Sequence, residues 1–490
     1  MITAGNLRKE VALVYLMIAG LACVLVRVLA QQDYFVFAVG VGAVAFLPLI
    51  LQKGFTLLFI LFTVFFLKFT SESGTFMDSV MQYANMLIFA AAFYYLAEKQ
   101  LVSGPKVSAQ ASITLAAFVV VCVLSTILND YPTYMVAKAL YTSLWRVVIA
   151  FLIMYLLTNE KRVGLFVSAY VVMATVSLSV MGTVQILIGE RIIKAGEGHH
   201  NYFTIESSRL SGFVDTDPLS VASALMFLLI ICLAYVLVKP SKLYLLAFML
   251  NALGLVLTFS RSAYALFPLA ITPLMVVAAK NSRTLRIRRL LWLGGLSVAT
   301  CAVCAGVMRL PSPGMDLMDL SPSLETRRTL WTQARAIPFK YLLGHSPVVT
   351  GSSENFRAVG YECSFESMYI EWFYQTGLLG AVFLGYFVLG AFRNYFRAYK
   401  RFSRAGAVGY QMYSLSFCVA FASFLMHGVV FNSSVFSFYA WLSWSMSFVF
   451  CRLSERYKIP KDVFSYRCSA TNKATRHSGN RSRLWVEVAQ

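Results

Sequence analysis

Apolar runs of about 15–27 residues recur along almost the whole chain, most of them near the roughly 20 residues an α-helix needs to cross the hydrocarbon core of a bilayer. With 59% of residues hydrophobic and 13% charged, the sequence has too little polar surface to clothe a water-soluble domain of 490 residues. The spacing predicts fourteen spans, near Val11–Ala30, Tyr34–Leu51, Phe55–Phe69, Ser79–Ala97, Ala111–Leu128, Ser143–Leu157, Val163–Gly189, Pro218–Val238, Leu243–Ser260, Ser262–Ala279, Leu290–Met308, Ser367–Ala391, Tyr410–His427 and Ser434–Cys451. The expected fold is an all-α polytopic integral membrane domain over 1–451, with about 12–14 transmembrane helices. A basic tail over 452–490, rich in Ser, Thr and Asn and without apolar periodicity, is expected to be a disordered cytoplasmic extension touching anionic lipid.

Charge placement sets an expected orientation. With the N-terminus inside, about 28 of the 42 Lys and Arg fall on the cytoplasmic side, whereas about 16 of the 22 acids fall outside. The clusters Lys280–Arg289, Arg393–Arg404 and the tail all lie inside, so both termini are expected to be cytoplasmic. Membrane orientation thus accounts for the net charge of +20, and nucleic-acid binding is not expected. The first apolar run passes straight into a second without a small-residue cleavage pattern, so it is expected to act as an uncleaved signal. The nine cysteines imply no disulfide framework, and Cys301-Ala-Val-Cys304, lying in an apolar run with no histidine nearby, reads as helix packing rather than a metal centre.

Two expected outside segments are long enough to carry function, 190–217 and 309–365. In the second, Ser321-Pro322 is a helix start, and Arg328, Trp331 and Arg335 then share one helical stripe. The plain reading is an amphipathic helix lying on the bilayer with Trp331 in the interfacial belt. Arg209 lies just before the Pro218 span, and Arg261 in Leu257-Thr-Phe-Ser-Arg-Ser-Ala-Tyr264, a hinge with almost no loop. An arginine there ends a helix by snorkelling or supplies a fixed cation for a phosphate, whose oxygens its fork matches bidentately. Together with Arg327 and Arg328, four arginines sit on the outer face.

The last element is Glu366-Ser-Met-Tyr-Ile-Glu-Trp-Phe-Tyr-Gln-Thr-Gly377-Leu-Leu-Gly380, where the outer loop re-enters the membrane. Glu366 falls in the first turn of the expected helix, a position the helix dipole favours without any catalytic purpose. Glu371, a turn deeper, needs a cavity or a partner.

The ordered set of Leu-Thr-x-Ser-Arg, an outer loop with Arg-x3-Trp ending in Leu-Leu-Gly, and a small polar pair followed by nine residues and Gly-x-x-Gly resembles the O-antigen ligase and polysaccharide repeat-unit polymerase superfamily over about 209–380. The resemblance implies a GT-C-like glycosyltransferase acting at the periplasmic face of a bacterial inner membrane on undecaprenyl-diphosphate-linked oligosaccharide. The good diphosphate leaving group and the lack of a convincing metal motif lead to the expectation of a metal-free, cofactor-free, inverting transfer. A chain-length regulator or export machinery would be its protein partners.

By position, Arg261 matches the arginine after the Thr-x-Ser signature, Arg327 the arginine four before tryptophan (Trp331), and Arg209 a loop arginine. Ligases open the polar pair with histidine where this chain has Glu366-Ser367, which points to a polymerase ahead of a ligase. His345, after Leu-Leu-Gly344, and His427, ending an outside-facing run, are the two histidines able to replace the missing imidazole. The expected site is therefore Glu366 and Arg261 as catalytic groups, with Arg209, Arg327, Arg328, His345 and Trp331 binding substrate. Asp215-Thr-Asp217 has a metal-motif spacing but no further acid or histidine to complete a site. A transporter without bond chemistry is the reading from another class. Only Arg27, Lys68 and Arg146 are basic within expected spans, each near enough to an end to snorkel, which disfavours an ion relay.

Overall fold

A computed structural model describes residues 108–129, 133–188, 210, 218–238, 241–281, 295, 342–345, 367–429 and 438–457. All regular structure among these residues is helical. In chain order the helices are α1 (Ala109–Ile127), α2 (Thr133–Leu156) and α3 (Glu160–Ala174), a π-helical turn (Thr175–Val180), then α4 (Met181–Ile188), α5 (Pro218–Val238), α6 (Lys242–Leu257), α7 (Arg261–Lys280), α8 (Met368–Arg404), α9 (Val408–His427) and α10 (Phe438–Glu455). Among the described residues six helical stretches are long and apolar enough to cross a membrane. Every expected span that falls wholly among these residues overlaps a helix, whereas those before residue 108 and, apart from residue 295, the one near Leu290–Met308 lie outside the described residues, as do the tail beyond 457 and most of segments 190–217 and 309–365.

The core is organised around α5. Its run Leu-Met-Phe-Leu-Leu-Ile-Ile-Cys-Leu-Ala is apolar on every side, and a helix of that kind is stable only when surrounded. Residues 221–237 are accordingly buried, packed by α6, α7 and α9. A second core joins α1, α2, α8 and α10 through Phe118, Phe387, Trp441 and Trp444, with Phe387 stacked on Trp444 at 5.3 Å between ring centroids.

The π turn lies where a polar group enters this apolar interior. Ser179 donates to Asn251 Oδ1 at 2.7 Å, and Asn251 Nδ2 donates to Thr175 Oγ1 at 2.9 Å. Asn251 on α6 is fully buried, so these bonds replace the water that its amide loses.

Two expected boundaries move. α2 begins at Thr133 rather than Ser143, because polar Thr133, Tyr134 and Lys138 lower hydropathy without ending the helix. Arg146 therefore lies inside α2, ten residues before its last residue, and not near an end. The run expected as one span from Ser367 is broken within α8 at Gly377 (φ 63°, ψ −155°). Only Leu378–Arg404 is continuous helix, about 40 Å at 1.5 Å per residue, and Met368–Thr376 forms a short arm before the break.

Candidate functional site: converging helix ends

Four helix ends meet at one end of the bundle. α6 stops at Leu257 because Thr258 and Phe259 turn the chain sharply. Phe259 holds φ 52°, a left-handed conformation that costs a bulky residue about 1–3 kcal/mol. The turn is fastened by Thr258, whose buried hydroxyl donates to the Leu255 carbonyl at 2.6 Å. Leu210 is fully buried and donates its N–H to the Leu257 carbonyl at 2.8 Å, satisfying a carbonyl that the end of α6 leaves open. The 190–217 segment is thus tied to this turn at Leu210, the residue after Arg209 in sequence.

α7 opens with Arg261, which is half-buried. A cation at a helix N-terminus runs against the macrodipole by about 0.3–1 kcal/mol, whereas the dipole and a guanidinium together favour an anion placed there. The next residue, Ser262, shares a 2.9 Å hydrogen bond with Nε2 of His427, the fully buried last residue of α9. One residue further, the Gly428 carbonyl accepts the N–H of Met368 at 3.0 Å, joining the start of α8 to the end of α9. A Cβ on Gly428 would lie 2.1 Å from Met368 Cε, so a larger residue there would displace the methionine side chain. Ser367 is buried beside it, and Glu366 is the residue before.

The break in α8 is filled by Leu342–His345. At a helix break, backbone groups lose their partners and must find others when buried. The His345 N–H donates to the Tyr374 carbonyl at 2.9 Å, and the Leu379 N–H donates to the Leu342 carbonyl at 3.2 Å, one bond on each side of Gly377. Asn129, just beyond α1, donates to the Gly344 carbonyl at 2.8 Å.

Both glycines of this interlock have positive φ, 65° at Gly344 and 63° at Gly377. A Cβ on Gly344 would lie 2.4 Å from the Gln375 and Thr376 backbone, and one on Gly377 would lie 2.6 Å from the Gly344 nitrogen. Trp372 Nε1 donates across the break to the Gly380 carbonyl at 2.8 Å. The Leu-Leu-Gly and Gly-x-x-Gly motifs, more than thirty residues apart in sequence, are thus two halves of one joint.

Of the expected site residues, the structure describes Arg261 and His345; Arg209, Arg327, Arg328, Trp331 and Glu366 lie outside the described residues. His345 belongs to the joint, where its ring stacks on Tyr374 at 4.3 Å. His427 is the histidine that meets the α7 turn, through Ser262. A histidine closing one apolar run and a serine opening another, with their helices antiparallel, was the available signal. Glu371 lies in the short arm rather than within the long helix, buried, with Oε1 accepting from Gln375 Nε2 at 3.0 Å.

The arrangement offers a cation, a hydroxyl hydrogen-bonded to an imidazole, and the helix start that follows Glu366, all in one place. No protein-family model matches the chain, and no curated protein matches it.

Proposed function

We propose that the chain is a polysaccharide repeat-unit polymerase of bacterial inner membranes. It would transfer a growing glycan from undecaprenyl diphosphate to a hydroxyl of another lipid-linked repeat unit at the periplasmic face. The observation that carries the reading is the meeting of Arg261 and Ser262, His427 and the start of α8 at one end of the bundle, in the order of motifs that resembles the O-antigen ligase and polymerase superfamily.

In the proposed reaction the acceptor oxygen attacks the anomeric carbon of the donor sugar, forming the new glycosidic bond with inversion. The bond from that carbon to the diphosphate oxygen breaks, and its electron pair leaves with undecaprenyl diphosphate. Arg261, reinforced by the N-terminus of α7, stabilises charge developing on the departing diphosphate, with Arg209, Arg327 and Arg328 as further cations. The acceptor proton passes to Glu366. His427 orients the Ser262 hydroxyl at the same helix end, and serves as the imidazole that the polar pair lacks. A diphosphate is a good leaving group, so the donor side needs cations more than a proton donor. Both substrates are amphiphilic, which fits a site at the ends of apolar helices.

Two other readings are carried. A ligase of the same architecture would hand the glycan to lipid A core or to a protein. A transporter is favoured by one observation, the position of half-buried Arg146 inside α2, since an ionisable residue within a span is a functional candidate by default.

The test is incubation of the purified protein in detergent with lipid-linked repeat units, with and without lipid A core, followed by gel electrophoresis. A ladder from repeat units alone establishes the polymerase. A single shift requiring lipid A core establishes the ligase, and no consumption in either lane returns the question to transport.

A further inference from the structure

At the opposite end of the bundle a cavity of about 290 Å³ opens between the N-terminus of α1, the C-terminal turn of α2, the middle of α8 and the last turns of α10. Asn394, which lines it, lies seventeen residues beyond Gly377, about 26 Å along α8 and so far from the site described above. Its lining is rich in hydrogen-bond donors.

Asn394 is 3% exposed, and its Nδ2 has no hydrogen-bond partner among the described residues. A buried amide left this way costs about 1–3 kcal/mol, and a ligand accepting from it would remove that cost. Arg397, one turn on, is exposed and also lines the cavity. Arg452 lines the far wall, where it donates to the Met154 and Leu157 carbonyls at 2.7 and 2.8 Å, capping α2 and fixing the guanidinium in place. Ser108 and Gln110 bring the amino end of the 19-residue α1, the positive end of its dipole. The one acid of the lining, Glu455, is paired with Arg401 at 3.3 Å, which partly offsets its charge.

We propose that this cavity binds a phosphate group, that of the headgroup of an anionic lipid in the leaflet facing the arginine-rich end. Two arginines, a helix N-terminus and an unpartnered amide donor form a set that matches phosphate oxygens. The volume is at the lower limit of roughly 300–1,000 Å³ for small-molecule sites, which suits a headgroup better than a nucleotide. The outer surface of α8 argues for a lipid. Val382, Leu389 and Phe396 recur every seven residues on one face and are 64%, 70% and 56% exposed, an apolar stripe that ends beside Arg397. Acyl chains along that stripe place the phosphate at the arginine.

The test uses the full chain, stripped of lipid in detergent. It is titrated with phosphatidylglycerol, with phosphatidylcholine carrying the same acyl chains, and with inorganic phosphate. Bound lipid is counted by native mass spectrometry, and alkylation of Cys451, which lines the cavity, is followed by peptide mass spectrometry. Phosphatidylglycerol is expected to be retained over phosphatidylcholine and to slow Cys451 alkylation. In Arg397→Gln its affinity is expected to fall by about tenfold or more, the scale of one lost charge-assisted hydrogen bond. Asn394→Leu is expected to weaken binding in the same direction. Protection by inorganic phosphate alone supports the phosphate site and assigns it to a soluble anion. Equal retention of the two lipids, with Cys451 unprotected by lipid and by phosphate, overturns the proposal; the alkylation arm uses the unaltered protein and does not depend on any variant folding.

Discussion

Replacing Gly377 by alanine tests whether the break in α8 is a built joint. The conformation at Gly377, φ 63° with ψ −155°, belongs almost entirely to glycine and costs another residue about 1–3 kcal/mol. The added Cβ would also lie 2.6 Å from the Gly344 nitrogen and the Leu342 carbonyl carbon. These are backbone atoms held by hydrogen bonds on both sides, so relief requires the Leu342–His345 segment to shift, at a further cost of about 1–3 kcal/mol. The sum is about 2–6 kcal/mol. At about 2 °C per kcal/mol, the lower end for large domains, Tm should fall by about 4–12 °C. Gly385 on the same helix has nothing within 4 Å of an added Cβ. There alanine should be neutral or stabilising by up to about 1 kcal/mol through helix propensity. Both variants would be followed by thermal unfolding in the same detergent, with Gly344→Ala as the reciprocal change. Equal melting temperatures for Gly377→Ala and Gly385→Ala would refute the reasoning.

Other expected outcomes bear on separate parts of the molecule. His427→Ala, which leaves the Ser262 hydroxyl without its orienting partner, should lower the rate of glycan transfer by about tenfold, the scale of one lost buried hydrogen bond, while His427→Gln, which preserves a hydrogen bond to Ser262, should retain more; both are read from initial rates of ladder formation. Asn251→Ala removes two buried hydrogen bonds, each worth about 0.6 kcal/mol in a membrane interior, so it should destabilise by about 1–2 kcal/mol in thermal unfolding. Tyr457, beyond the end of α10, donates to Glu160, and burial together with the Glu160 charge pushes its hydroxyl above its usual value near 10. A group raised in the folded state contributes fully below its unfolded value. The stability difference between wild type and Tyr457→Phe should therefore be constant from neutral pH to about pH 9 and diminish as pH rises past about 10, measured by Tm against pH.

What the sequence discloses here depends on the range of the interaction. Helix positions were legible because hydropathy is local: the α5 and α7 boundaries follow from their composition within a residue or two. The α2 start was not, since Lys138 and Thr133 lower hydropathy while the backbone hydrogen bonds continue. For that reason Arg146 was misjudged as lying near a helix end. Both glycine motifs were visible, but not that they interlock, because the bonds filling the Gly377 break come from a segment thirty-odd residues earlier. The contact between His427 and Ser262 has the same cause, since only the packing of α9 against α7 brings them together. The sequence placed Arg261 in a hinge between two apolar runs, but did not disclose that it opens the second helix, which is fixed by where the Thr258–Phe259 turn ends.

The most direct test of the central claim is the initial rate of ladder formation from lipid-linked repeat units by wild type, Arg261→Ala and Glu366→Gln, each verified by thermal unfolding to retain its fold. The account predicts a ladder from the wild type without lipid A core, and a loss of about 10²–10³ in rate for Arg261→Ala, the scale of one removed charge-stabilising donor. Glu366→Gln is predicted to be slower than wild type by about 10²-fold or more. A folded Arg261→Ala that builds the ladder at the wild-type rate would contradict it.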